Sequence, residues 1–182
     1  MNGSLKYSFG FVAASLRLNE TILIERTFRE GGYTDYNNID NKVDLIGHGN
    51  TRTCNRQYRE LAERLRSLTS AEKDLLVGND LTSRRQIAFL GVCKHYLFIR
   101  EFVLEVLREK MLVYDYQLTE SDYLSFERKK ETLDLLADST RHKIKQVVFK
   151  ILEQAGIIDN VKSLKIQPQL PGQQVIDAVM ED

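Results

Sequence analysis

Apolar residues recur at helical spacing along most of this chain, and the interruptions between them define a series of helices. Val12, Leu16, Ile22, Ile24 and Phe28 predict a helix from about Phe9 to Glu30, capped by Ser8 and stopped at Gly31-Gly32. A short helix from Thr34 or Asp35 to about Ile46 follows, with Ile39, Val43 and Ile46 on one side and a tight turn at Gly47-His48-Gly49. Leu61, Leu65 and Leu68 are spaced four and three apart, so the next segment, Asn50–Leu68, can bury one face. Asn50 is a favoured N-cap residue. Thr69 with Glu72 three residues later reads as a capping box for a brief helix to about Val77, ended by Gly78-Asn79.

Thr82 or Ser83 is expected to cap Arg84–Tyr96, which leads through Leu97-Phe98 into a helix ending near Leu112. Ile87, Leu90, Cys93, Ile99, Phe102, Val103, Val106 and Leu107 lie around most of these two helices, the pattern of a buried central hub. Thr119 and Asp122 begin a further capped helix with Tyr123 and Phe126 inward, and a short turn or helix spans Thr132–Leu136. Asp138-Ser139-Thr140 then cap Arg141–Gln154, whose inner face is Ile144, Val147, Val148, Ile151 and Leu152, before a stop at Ala155-Gly156. Ser163–Gln167 reads as a short extended piece, and Pro171 fits the first turn of a last helix through Met180. The expected fold is all-α: a compact multi-helix globular fold with two helix-turn-helix-like elements around a buried central helical hub. An N-terminal lobe would span residues 1–80 and a C-terminal lobe residues 81–182.

The bulk composition fits that picture. A chain of 182 residues, 42% hydrophobic and 29% charged, can bury one sizeable core or two small lobes. Its 26 basic and 26 acidic residues cancel, so any contact with a polyanion must come from charges sorted onto particular segments. Cys54 and Cys93 are isolated, as reduced structural cysteines in a cytoplasmic protein would be. The first 13 residues lack the plan of a signal peptide. Charged residues interrupt the most apolar stretch, Ile87–Tyr116, too often for a membrane span of about 20 apolar residues.

Two segments do sort their charge. Asn50-Thr51-Arg52-Thr53-Cys54-Asn55-Arg56 and Asp138-Ser139-Thr140-Arg141-His142-Lys143 share a plan: a capping residue, small hydroxyls, then bases ahead of an apolar anchor. Each follows a shorter helix and a turn, the order of a helix-turn-helix. Bases near a helix N-terminus oppose the helix dipole by a few tenths of a kcal/mol, on the order of 0.3–1 kcal/mol at most. Meeting that cost twice favours phosphate partners, and the hydroxyls and free N–H groups add anion donors. Arg52, Asn55 and Arg56 are also side-chain types that read base edges in a major groove. The plainer alternative is a pair of solvated surface helices whose bases pair with neighbouring carboxylates.

Catalytic chemistry is not evident. His48, His95 and His142 are far apart and none has a metal-ligand neighbour at helical spacing. His48 fits a turn, and His95, inside the hub, fits a satisfied core histidine. Gly47-His48-Gly49 has no third glycine, and P-loop, nucleophile-elbow and zinc-protease motifs are absent. No enzyme, cofactor or metal is expected.

The order of several blocks resembles the BrxA family of bacteriophage exclusion (BREX) phage-defence systems. These blocks are Tyr7-Ser8-Phe9-Gly10-Phe11 with Ala13-Ala14-Ser15-Leu16, Arg56-x-x-Arg59-Glu60-Leu61, Arg85-Gln86-Ile87 and Cys93-Lys94-x-Tyr96. Phe98-Ile99-Arg100-Glu101-Phe102, Val106-Leu107-Arg108-Glu109-Lys110, Asp138-Ser139-Thr140-Arg141 and Ala155-Gly156-Ile157-Ile158 complete them. The resemblance implies an all-α, non-enzymatic protein that acts on double-stranded DNA beside a methyltransferase and other BREX components. Carried over by position, the DNA-facing residues are Thr51, Arg52, Asn55, Arg56 and Arg59 in one helix. Ser139, Arg141, His142, Lys143 and Lys145 form the matching set in the other. The chain is read as a cytoplasmic monomer that does not enter a membrane. A protein–protein adaptor of the BREX complex and an RNA-binding helical module are the alternatives, and the acidic end Asp177–Asp182 has no implied role and should repel DNA.

Overall fold

Residues 7–47 and 49–181 are described by a computed structural model, in which they are helical apart from turns, short connections and two isolated antiparallel bridges. The fold is all-α. The chain divides into two compact units, one of Leu16–His95 with Leu170–Asp182, the other of Met1–Ser15 with Tyr96–Gln169. Within the first of these units α4 (Ser70–Val77) and α5 (Leu81–His95) pack on each other.

In the unit that begins at Leu16, α1 spans Leu18–Glu30. The expected start near Phe9 is corrected: a single 3-10 turn covers Gly10–Val12, and Arg17 sits in the left-handed region at φ 45° before the helix opens. Phe11, Ala14 and Leu16 are all buried, a spacing that no single helix face provides. The helix expected from Thr34 or Asp35 is also broken. Asp35 Oδ1 accepts from Asn37 N at 2.8 Å and caps only the 3-10 turn Tyr36–Asn38. Tyr36 holds that turn in place, stacked on Phe28 with centroids 4.2 Å apart and donating its hydroxyl to buried Glu25. α2 (Lys42–Ile46) follows and packs on α3 (Thr51–Arg66).

α3 buries Cys54, Tyr58, Leu61, Ala62 and Leu65, positions that stack on one helix face. Gly91 lets α5 come close to it, since a Cβ there would meet the Arg64 carbonyl at 3.4 Å. The capping box of α4 forms as expected from Thr69 and Glu72. Glu72 is fully buried, and Lys94 Nζ donates to both its oxygens at 2.8 Å. α5 starts earlier than Thr82 or Ser83 predicts, because Asp80 Oδ2 accepts from Ser83 N at 2.7 Å. α10 (Gln173–Met180) packs on α4 and α5, with Gly172 as its N-cap and Pro171 just ahead of it.

The hub segment is two helices, as expected, and they separate at Tyr96. Tyr96 is extended, at φ −109° and ψ 102°, with its buried ring edge-on to Phe11 at 5.2 Å. In its unit, α6 (Leu97–Phe102) passes through a π-helical turn, Val103–Leu107, into α7 (Arg108–Leu112). Phe98 anchors an aromatic cluster with Tyr7, Phe9 and Phe126 at 5.5, 5.4 and 5.2 Å. α8 (Glu120–Arg128) carries the predicted Thr119–Asp122 capping box, and a 3-10 turn, Glu131–Leu135, leads into α9 (Asp138–Ala155). α9 buries Ile144, Val147, Val148, Ile151 and Leu152 and stops at Gly156, φ 75°. The Ser163–Gln167 piece contributes the two bridges, Lys165 with Gln117 and Ile166 with Ile158.

Candidate nucleic-acid interface

The N-terminus of α3 is built as its sequence dictates. Asn50 is extended, and its Oδ1 accepts from Thr53 N at 2.8 Å. Gly47 at φ 86° and Gly49 at φ 146° occupy conformations open to glycine, so the turn suits these residues; His48 lies outside the described residues. At about 100° per residue, Thr51, Arg52, Asn55, Arg56 and Arg59 fall within an arc of roughly 140°. All five are exposed, and together they line an open cleft of about 710 Å3. Among the described residues Arg52, Arg56 and Arg59 make no ion pair. Glu63 is engaged instead by Arg66, which also donates to Asp35 at 2.7 Å. These three exposed guanidinium groups thus have no carboxylate partner among the described residues.

The second set is divided. The start of α9 differs from expectation: its N-cap is Ala137, which offers no side-chain bond, and Asp138, Ser139 and Thr140 already lie in the first turn. Arg141 Nε donates to Glu127 Oε1 at 3.0 Å, and the Glu127 hydrogen bond and charge raise the guanidinium pKa above its ordinary value. Lys145 Nζ donates to Glu120 Oε2 at 2.7 Å, and that bond holds the Glu120 carboxyl below its ordinary value. These two bases lie on the flank of α9 beside its buried face. Ser139, His142 and Lys143 lie on the outer face, within an arc of roughly 100° that also holds Gln146 and Lys150.

His142, Lys143, Lys145, Gln146 and Lys150 line a cleft of about 420 Å3 whose apolar wall includes Val147, Phe149 and Val161. Gln146 Nε2 lies 2.9 Å from His142 Nε2, and Lys150 pairs with Glu153. Gln146 and Lys150 were not anticipated; their signal is the i+4 step from His142 and the i+7 step from Lys143. Ser139 and Arg141 do not line this cleft.

His95 is half-buried in α5, and burial holds its imidazole below the ordinary value against the opposing charges of Glu60 and Glu63. Among the described residues no group of three or more His, Cys, Asp or Glu is placed to hold a metal ion, and no helix is long and apolar enough to cross a membrane.

With that geometry in view, a family model described as BrxA matches residues 5–182. A protein named "BREX protein BrxA" from Bacillus cereus (strain H3081.97) is 33% identical over 87 residues, 46% of this chain and 44% of that protein. The match thus spans less than half of the curated relative. The fold is similar to a crystal structure of an uncharacterized protein from Magnetospirillum magneticum, with a TM-score of 0.81 at 20% identity, covering 97% of this chain and 93% of that one.

Proposed function

This chain belongs to the BrxA family, and from that premise we propose that it is a non-enzymatic, double-stranded DNA-binding component of a BREX phage-defence system. The observation that carries this reading is the exposed arginine face of α3. Arg52, Arg56 and Arg59 share one cleft with Thr51 and Asn55, without a carboxylate partner among the described residues. A short helix, a glycine turn and a longer helix with a polar, basic start follow the order in which helix-turn-helix proteins offer a recognition helix to the major groove. In the other unit, His142 and Lys143 on α9 supply a second, lesser basic face. Arg141 and Lys145 serve there to fix α9 against α8, since each is bound to an α8 carboxylate.

Competition among a duplex, a single strand and a double-stranded RNA of the same length, with the purified chain, tests the proposal. Duplex DNA should compete best. A-form RNA presents a deep, narrow major groove that a helix does not enter, so equal or better competition by RNA would transfer the function to RNA.

A second reading, a protein–protein adaptor among BREX components, is favoured by a different observation. Met111, Leu112, Val113 and Tyr114 form a consecutive exposed apolar run at the end of α7, with Val113 and Tyr114 72% and 80% accessible. Exposed apolar patches commonly mark interaction sites. A pull-down of BREX components that survives nuclease and high salt, with no duplex binding in vitro, would decide for it.

A further inference from the structure

We infer that the exposed face of α3 reads guanine, an inference that rests on its docking to duplex DNA. All three cations on this face are arginine, whereas the cleft on α9 is lined by Lys143 and the ion-paired Lys145 and Lys150. The difference is chemical. Lysine is a compact point charge that suits phosphate, whereas arginine presents a planar fork of donors and no acceptor.

In the major groove guanine alone offers two adjacent acceptors, N7 and O6. Adenine pairs an acceptor with a donor, thymine pairs an acceptor with a methyl group, and cytosine offers a donor. A donor-only fork therefore matches guanine and mismatches the other three. Intramolecular ion pairs would spend those forks, as Glu63 and Asp35 spend that of Arg66, but Arg52, Arg56 and Arg59 have none among the described residues.

The spacing also fits. At about 1.5 Å rise per residue, Arg52 and Arg59 are separated by roughly 10.5 Å along the helix axis. That distance equals about three base-pair steps of roughly 3.4 Å. With the helix in the groove, that span brings Arg52, Arg56 and Arg59 within reach of a few neighbouring base pairs. Asn55, between them on the same face, has the paired donor and acceptor that adenine requires.

The test uses the full chain and a pool of duplexes with a randomised centre of about ten base pairs. Bound duplexes should be enriched in clustered guanines. The enriched duplexes are then resynthesised with 7-deazaguanine, which removes the N7 acceptor and keeps charge and base pairing. Affinity should drop on the order of tenfold, the discrimination of one bidentate pair. Arg52→Lys/Arg56→Lys/Arg59→Lys should narrow the gap between the two forms, because lysine keeps the charge and donors but loses the planar two-pronged fork. Duplex binding with no guanine enrichment, or with no loss on the 7-deaza duplexes, overturns guanine reading and leaves DNA binding standing. Failure to retain any duplex overturns both. The three positions are exposed and make no ion pair among the described residues, so far-ultraviolet circular dichroism of the lysine variant should match the wild type.

Discussion

Arg141 Nε donates to Glu127 Oε1 at 3.0 Å, joining the first turn of α9 to a carboxylate that is only 4% exposed. The bond gives a basic residue near a helix start an internal partner, and so separates Arg141 in role from Arg52, whose setting in sequence is similar. Removing one partner of a buried pair leaves the other charge uncompensated. Because the arginine side chain is itself 28% exposed, the cost is placed below the fully buried case. Arg141→Ala should destabilise the chain by about 1–3 kcal/mol, read by urea unfolding, and Glu127→Gln in the same background should recover part of the loss. Wild-type stability in Arg141→Ala, together with reduced duplex affinity, would instead assign Arg141 to DNA.

The two basic helices should respond differently at their caps. Asn50 Oδ1 accepts from Thr53 N at 2.8 Å, so Asn50→Ala should cost about 0.5–2 kcal/mol. Ser139 is not the N-cap of α9, whose cap residue Ala137 makes no side-chain bond. Ser139→Ala should therefore stay within about 0.5 kcal/mol of the wild type, whereas Ala137→Ser should stabilise by about 0.5–1 kcal/mol. Thermal unfolding of the three variants checks the set; an Asn50→Ala protein as stable as the wild type contradicts it.

Alkaline titration offers a third check. The Tyr58 hydroxyl donates to the Tyr36 carbonyl at 2.6 Å. Burial is the main cause that pushes its pKa from 10.0 up to about 12, with Arg66 opposing and Asp35 adding to the rise. The unfolded tyrosine loses its proton first, so the stability tied to this group is complete below pH 10 and is lost as pH rises through about 12. Difference absorbance at alkaline pH should show Tyr58 ionising late, as the part of the titration removed by Tyr58→Phe. Ionisation near pH 10 in the folded protein would contradict the burial.

Local chemistry was legible in the chain. The Asn50 cap, the boxes at Thr69–Glu72 and Thr119–Asp122, and the buried faces of α3 and α9 all involve residues within a few turns of one another. What escaped depends on distant partners. Residues near Phe9 join an aromatic cluster around Phe98, and Phe11 sets its ring against Tyr96, so the first helix does not start where its local pattern suggests. Arg141 and Lys145 find Glu127 and Glu120 across 14 and 25 residues of sequence. Helical spacing placed both near a free basic start, and only the packing of α8 on α9 reveals that they are engaged. The five candidate residues of α3 were legible together because one helix carries them all.

The most direct measurement is the affinity of a short duplex for the wild type and for Arg52→Ala/Arg56→Ala over a series of salt concentrations. Both residues are exposed and make no ion pair among the described residues, so the double variant should keep wild-type stability within about 1 kcal/mol. Wild-type affinity should fall steeply with salt, with a log–log slope of roughly −0.9 for each phosphate neutralised. At a fixed low salt the double variant should bind at least about tenfold more weakly, the loss of roughly one good contact. Equal affinity of the two proteins would contradict a DNA-contacting role for α3.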